Sequence, residues 1–380
     1  MSNQQQSTKI ILVRHGRSTY NEEGRYQGSS NESVLTEQGR KTAYLTGLAL
    51  QNFQFDAIYS SPLKRVQQTT EEIVKALHNF QDNLKPVQSD RRLTEVNMAT
   101  WEGLAYAYVK KYLAQDYHCW QNTPHLFAFP SVENSEAKFY PLQDLYQRAK
   151  SFLTDILNQH RGQTILIVAH GGTNRALISS AIGLAPDKYH SLQQSNCGIS
   201  CLDFKNDRSL LAQLKWLNVT NHLNENLPKL KAGKMGLRWL LVSNKTAENI
   251  QLTQYLASET IDLIISDRNN KSQQLVKIYQ EQFSQAIHLS FTNQKFLIFW
   301  QKYLVDKSYN SSDLITGLII IDESLLQDFF KQLFSLKLNL NFNQSYSVIH
   351  YPQKNHIPIL QGLLPTQDMK PFIFNPINFK

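Results

Sequence analysis

Short apolar runs that stop at polar, glycine-marked corners constrain this chain more than any other feature. Ile10–Val13 ends at Arg14-His15-Gly16, and Thr164–Ala169 ends at His170-Gly171-Gly172. Brief runs that are apolar at every position suit strands buried on both faces. Phe55–Tyr59 ends at Ser60-Ser61-Pro62, and the proline suits the start of a helix from Leu63 to about Leu77. The other helices expected are one opened by Leu35–Gly39, with Thr36 as N-cap, then Leu142–Leu157 and Asn174–Ile182. Ile199–Phe204 reads as a fourth strand. Strands alternating with helices predict an α/β domain around a largely parallel sheet. His15 and His170 fall just after strand ends, and Arg65 one turn into the helix after its strand. That is where ligands bind in open α/β sheets.

The pattern then restarts. Pro228–Gly236 is small, basic and glycine-marked, which sets a boundary between domains 1–232 and 233–380. Beyond it, Leu237–Val242 resembles Ile10–Val13, and Ile261–Ser266 with Asp262 resembles Phe55–Ser60 with Asp56. Gly317–Ile321 and the helical Leu325–Leu336 resemble Thr164–Val168 and its helix, while Tyr346–Tyr351 matches Ile199–Phe204. This predicts an internal duplication with a smaller second copy. Overlaying the halves puts Ser243 and Asn244 where Arg14 and His15 stand, Lys271 at Arg65 and Glu323 at His170. The second copy is expected to keep the α/β fold and lose the polar set.

Charge and composition narrow the partners. The net charge of +8 comes with no basic tail and no Arg-Gly run, so no nucleic acid is expected. No run approaches the ~20 apolar residues of a membrane span, so no membrane is expected either. Met1 to Lys9 is polar and Gln-rich, unlike a signal peptide. Three cysteines make no disulfide framework and fit a reducing, cytoplasmic setting. Cys197 and Cys201 read as small buried residues rather than metal ligands. A positive balance suits a small anionic substrate.

The corners also carry an ordered set of motifs. After Arg14-His15-Gly16 come Asn21, the Gly24–Gly28 loop, Leu35-Thr36-Glu37-Gln38-Gly39, and Ser60-Ser61-Pro62-Leu63 with Arg65, Gln68 and Thr69. Leu93-Thr94-Glu95, Trp101-Glu102-Gly103, Ala169-His170-Gly171 and Asn196-Cys197 follow. Together they resemble the histidine phosphatase superfamily, also called phosphoglycerate mutase-like, over about residues 9–204. The resemblance implies a three-layer α/β/α domain in which His15 attacks phosphorus and becomes phosphohistidine. It implies that Arg14 and Arg65 clamp the phosphate oxygens. His170 donates to them, preferably as imidazolium. Gly171 leaves room and offers its N–H, and Asn21 contacts phosphate. Glu95 becomes the proton donor to the leaving group, with Glu102 secondary. The residue types suit the task. Arginine forks bind phosphate bidentately and stay charged. A neutral imidazole can attack through one nitrogen while the other holds a proton. Because these cations neutralise the phosphate, no metal and no cofactor is called for.

Family members are phosphatases or mutases. In the mutase pattern an Arg and a Tyr follow the proton-donor Glu, and here Val96 and Met98 stand instead. A phosphomonoesterase acting on a small phosphorylated metabolite is therefore favoured over a cofactor-dependent phosphoglycerate mutase or a regulatory phospholigand-binding protein. Thr94 and Ala99-Thr100 depart from the phosphatase pattern as well, which leaves the substrate open. The two-part organisation resembles long members from photosynthetic organisms. Family substrates include phosphoserine, sugar phosphates and carboxyarabinitol 1-phosphate. The second half is expected to be non-catalytic: a buttress, a homodimer contact or an effector site. Trp120, Phe127, Phe129 and Tyr140 suit a lid and a satellite core equally.

Overall fold

The computed structural model describes residues 7–130, 137–205, 210–248, 250–300, 313–335, 340, 342, 345–352 and 357–366. The polar start, residues 1–6, lies outside the described residues, as do 131–136 of the aromatic stretch. No described helix is long and apolar enough to cross a membrane. Two compact units emerge, one from Met1–His190 with Gln194–Leu214, the other from Ser191–Gln193 with Lys215–Lys370.

In the first unit, β1 (Thr8–Arg14) leads to α1 (Thr19–Glu23), α2 (Glu37–Ala49), β2 (Ala57–Ser60), α3 (Lys64–Leu77) and β3 (Val87–Ser89). Two short helices, α4 (Tyr106–Tyr112) and α5 (Ala114–Asn122), precede the paired two-residue strands β4 (Phe129–Pro130) and β5 (Lys138–Phe139). Then come α6 (Pro141–Gln159), β6 (Thr164–Ala169), α7 (Gly171–Ile182), β7 (Ile199–Phe204) and β8 (Ala212–Val219), which carries the chain into the second unit.

The sheet order is β7-β1-β6-β2-β3, parallel except for β7. Ile10 to Val13 and Ile165 to Ala169 are at most 1% exposed. Successive strand residues point to opposite faces, so both faces of the sheet are covered. Helices α2 and α3 pack together, as do α6 and α7. Thr36 caps α2 by accepting from the Gly39 N–H at 3.0 Å. Helix α7 starts at Gly171, three residues earlier than the sequence pattern suggested, with His170 as its N-cap residue. Glycine is a weak helix former, by ~1 kcal/mol, but close approach demands it here. A Cβ on Gly172 would lie 2.2 Å from Glu95 Oε1.

The second unit contains β9 (Gly236–Ser243), α8 (Ile250–Leu256), β10 (Leu263–Asp267), α9 (Asn270–Gln282), β11 (Ile287–Phe291) and α10 (Asn293–Phe299). It closes with β12 (Leu314–Ile321), α11 (Glu323–Phe334), β13 (Ser345–Tyr351) and β14 (Ile359–Pro365). Its order is β11-β10-β12-β9-β13-β14, with β11, β10, β12 and β9 parallel and β13 antiparallel to β9. Its first five strands thus have the sequence order and directions of β3-β2-β6-β1-β7.

The structure revises two expectations about this half. Asp322, not Glu323, stands at the His170 position. Ile321 pairs with Ser243 as Ala169 pairs with Arg14, so the next residue in each case caps the next helix. Residues 215–232 also pack within the second unit rather than the first. Asn218 Nδ2 donates to the Gln361 carbonyl at 2.7 Å, and Arg238 Nη2 donates to the Pro228 carbonyl at 2.8 Å.

Candidate active site

Three neighbouring parallel strands deliver the polar residues at their carboxyl ends. Arg14 closes β1, His170 follows β6, and Ser61 follows β2 with Arg65 in the first turn of α3. Sheet order β1-β6-β2 places these corners side by side, although 156 positions separate Arg14 from His170 in the sequence.

His15 is 1% exposed, and its backbone N–H donates to the Ala169 carbonyl at 2.9 Å. Its ring Nδ1 lies 2.8 Å from the Gly16 carbonyl. A carbonyl only accepts, so Nδ1 carries the proton and Nε2 keeps the lone pair. The Gly16 N–H donates to Thr69 Oγ1 at 3.0 Å, and Thr69 donates to the Arg65 carbonyl at 2.7 Å. Asn196 Nδ2 donates to the carbonyls of His15 and Gly16 and to Asn21 Oδ1, at 3.0 to 3.2 Å. Asn21 also accepts from Ser18 and so acts in the cap of α1. The structure thus places Asn21 beside the His15 loop.

Arg65 is 1% exposed. Its Nη1 and Nη2 donate to the carbonyls of Ser30 and Gly28 at 3.0 and 2.8 Å. Glu102 holds that loop by accepting from the Ser30 N–H at 2.8 Å, which gives this carboxylate its supporting place. Burial lowers the Arg65 pKa to about 10 and lowers that of Arg14 as well, while Glu95 opposes the shift in both. Arg65 remains charged at neutral pH.

The His170 ring lies 5.3 Å from that of His15 and is fully buried. Burial, then the charges of Arg65, His15, Arg14 and Arg148, hold its pKa well below the ordinary value. The imidazolium form expected from the sequence is therefore disfavoured, and His170 is neutral in the protein alone. Ser61 Oγ accepts from the Leu63 N–H at 3.4 Å and lies 2.8 Å from His170 Nε2. In the tautomer in which the Ser61 hydroxyl donates to Nε2, the ring proton sits on Nδ1. That atom, Arg14 Nε and Arg65 Nε are buried donors without a hydrogen-bond partner. A buried donor left unpaired costs about 1–3 kcal/mol. Three of them around His15 make a site for a strong acceptor. Gly171 belongs to the same cradle, since a Cβ there would lie 3.2 Å from Arg14 Nε.

Glu95 reaches the group from the loop after β3. Its Oε2 accepts from the Gly172 N–H at 3.1 Å and its Oε1 from the Val96 N–H at 2.9 Å. The loop is held by Arg148, which donates to the carbonyls of Arg92 and Thr94, both at 3.0 Å, and by Thr173, which donates to the Thr94 carbonyl at 2.8 Å. Sequence reasoning missed Arg148. Its ion pair with Asp144 four residues earlier looks like ordinary helix-surface decoration. Trp120, Phe127 and Phe129 are at most 4% exposed, and both phenylalanines pack on Trp101, so these three form a satellite core. Cys197 and Cys201 are buried.

A model of the histidine phosphatase superfamily (branch 1) matches residues 10–217. A 2-carboxy-D-arabinitol-1-phosphatase of Triticum aestivum is 36% identical over 199 residues, which cover 52% of this chain and 37% of that protein. Phosphoserine phosphatase 1 of Hydrogenobacter thermophilus is 33% identical over 217 residues, covering 57% of this chain and 95% of that protein. A 2,3-bisphosphoglycerate-dependent phosphoglycerate mutase of Brucella anthropi is 30% identical over 218 residues, covering 56% of this chain and all of that protein. The match spans well under half the length of the plant relatives.

Proposed function

This chain belongs to the histidine phosphatase superfamily, and from that premise we propose that it is a metal-independent phosphomonoesterase working through phosphohistidine at His15. The observation that carries the reading is the tautomer of His15. With Nδ1–H committed to the Gly16 carbonyl, Nε2 keeps the lone pair with which it would attack phosphorus in line with the departing ester oxygen. A phosphomonoester is close to a dianion at neutral pH. Arg14, Arg65 and the Nδ1–H of His170 are the donors that would neutralise its oxygens. Bound phosphate would favour a second proton on His170, reversing the effect of the arginines.

Glu95, in its protonated form, gives its proton to the leaving alkoxide as the P–O bond breaks and the N–P bond forms. It then takes a proton from water, whose oxygen displaces His15 from phosphorus. Inorganic phosphate leaves and His15 is neutral again. Val96 and Met98 are buried and uncharged, which leaves a second phosphate poorly held after transfer and supports hydrolysis over mutase turnover. In the second unit Ser243, Asn244, Lys271 and Asp322 provide no imidazole nucleophile, and Asp322 would repel phosphate, so that unit is read as non-catalytic. The test is rapid quenching with a labelled phosphomonoester in excess EDTA. Acid-labile phosphate on His15 and full turnover are expected. Activity lost to EDTA and restored by magnesium, or label elsewhere, would overturn the reading.

A further inference from the structure

Helix α6 presents a polar stripe to the loop that carries Glu95. Asp144, Arg148, Ser151 and Asp155 recur at spacings of four, three and four, which places them on one helix face. Arg92 of the loop donates to Ser151 Oγ at 3.2 Å and pairs with Asp155. Those contacts join side chain to side chain at the surface. Arg148 reaches the backbone instead. Its Nε donates to Asp144 Oδ2 at 2.8 Å, which aims the fork. Its Nη1 donates to the carbonyls of Arg92 and Thr94, both at 3.0 Å, and to Thr94 Oγ1 at 3.3 Å. Its Nη2 donates to the Glu95 carbonyl at 3.4 Å. Thr94, where the chain departs from the phosphatase pattern, thus meets Arg148 through both its carbonyl and its hydroxyl.

The Thr94 carbonyl belongs to the peptide plane before Glu95, and the Glu95 carbonyl to the plane after it. A residue's backbone turns only about the two bonds between those planes. One guanidinium therefore holds both planes that flank Glu95. The Thr94 carbonyl takes a second bond from Thr173 Oγ1 on α7 at 2.8 Å, so the first plane is gripped from two helices. We infer that Arg148 is a positioning residue for proton transfer: it fixes the backbone of Glu95 so that the carboxyl meets the ester oxygen, and it acts through Glu95 rather than by contact with substrate. This rests on the phosphatase reading, in which Glu95 is the acid. The need is for a fork. A planar guanidinium spans two carbonyls at a set separation, whereas a lysine ammonium is a point charge on a flexible stem. Proton transfer is sensitive to such placement, since a shift of ~1 Å caused by a distant substitution can cost ~10²-fold.

Two esters separate positioning from general support of the fold. Glycerol 3-phosphate must release an alkoxide that needs a proton, and 4-nitrophenyl phosphate releases a phenolate that needs little. In the full chain, Arg148→Met should lower kcat/KM roughly 10–100-fold on glycerol 3-phosphate. On 4-nitrophenyl phosphate the loss should be less than about three-fold. Inhibition by inorganic phosphate, which needs the cradle and not Glu95, should stay within about two-fold. The decisive measurement is a double-mutant cycle with Glu95→Gln. A residue that acts only through Glu95 has nothing left to position, so Arg148→Met in that background should cost less than about two-fold more on glycerol 3-phosphate. Arg148→Lys keeps the charge and loses the fork. It should show the same selective loss at reduced size, and it carries the cycle should the methionine variant not fold. Equal losses on both esters, or the full loss persisting beside Glu95→Gln, would overturn the proposal. A selective loss in Glu95→Gln with none in Arg148→Met would sink this proposal alone. If Glu95→Gln did not distinguish the esters, the assignment of Glu95 as the acid would fall first and take this proposal with it.

Discussion

At the end of its first strand each unit makes the same turn. The His15 N–H donates to the Ala169 carbonyl at 2.9 Å in one, and the Asn244 N–H donates to the Ile321 carbonyl at 2.8 Å in the other. Before the second strand the agreement extends to a side chain. Asp56 Oδ2 accepts from the Thr164 N–H at 2.8 Å, and Asp262 Oδ2 accepts from the Thr316 N–H at 2.7 Å. What differs is the charge at the strand ends. The first unit has Arg14, Ser61 and His170 where the second has Ser243, Asp267 and Asp322. Asp267 accepts from the Asp322 N–H at 2.7 Å, and Asp322 caps α11 through Ser324. Lys271, at the Arg65 position, pairs outward with Glu248. A fold that aims several loops at one point does not by itself make that point attract phosphate. The residues at the ends of the strands do.

The largest test of this contrast is His15→Ala in the full chain. If the second unit is inert, phosphate release should fall on the order of 10⁴-fold or more, as when a covalent nucleophile is removed. Residual turnover that Asn244→Ala then abolishes would break the contrast.

Glu95→Gln comes next. General acid catalysis contributes roughly 10²–10⁴-fold, so alkyl phosphates should lose about that much. An aryl phosphate, whose leaving group needs little protonation, should lose far less. Equal losses on both would remove Glu95 as the acid.

Asp56→Ala and Asp262→Ala probe the shared feature. Each removes an acceptor from an edge N–H and should cost about 1 kcal/mol in denaturant melts. Phosphatase activity should be nearly unaffected in the Asp262 variant. If only one of the two destabilises the chain, the duplication is less symmetric than the hydrogen bonds indicate.

The smallest effect is in the acid limb of stability. His170 has a lowered pKa when folded, so between pH 7 and 5 the unfolded chain binds a proton that the folded chain refuses. Stability should fall with pH in that window by at most about 1.4 kcal/mol per unit from this group. His170→Asn should flatten the slope, and saturating phosphate should flatten it as well. Asp322 acts lower. Its hydrogen bonds from Ser324 hold its pKa below 3.8, so its stabilisation is full above that value and is lost as pH falls further. An unchanged slope between pH 7 and 5 in His170→Asn would mean that His170 is not buried neutral.

Strand ends were legible in the sequence wherever an apolar run met a glycine or proline. That is why Arg14, His15, Arg65 and His170 could be placed at one sheet edge before any coordinates. Glu323 was off by one residue because Gly317–Ile321 meets no glycine or proline at its end, where Asp322-Glu323-Ser324 follow. The residue that fixes its register is Thr316, through a backbone hydrogen bond to Asp262 that no sequence pattern encodes. Arg148 was missed for a related reason. It lies on a helix where arginine is ordinary, and its use depends on a loop from elsewhere. The roles proposed for Glu95 and Asn21 came from motif order alone, because neither sits at a strand end.

One contact near His15 bears on speed rather than affinity. Gly16 and Gly39 pack backbone against backbone, with a Cβ on Gly16 only 2.5 Å from the Gly39 oxygen and one on Gly39 only 2.1 Å from the Arg17 oxygen. No rotamer separates the nucleophile's loop from the first turn of α2, so this seam has no soft coordinate through which to relax. If His15 gains and loses a phosphoryl group as proposed, the rearrangement falls on the transferred group and the arginine tips. A loop with that little reorganisation to undergo starts each half-reaction near its final geometry.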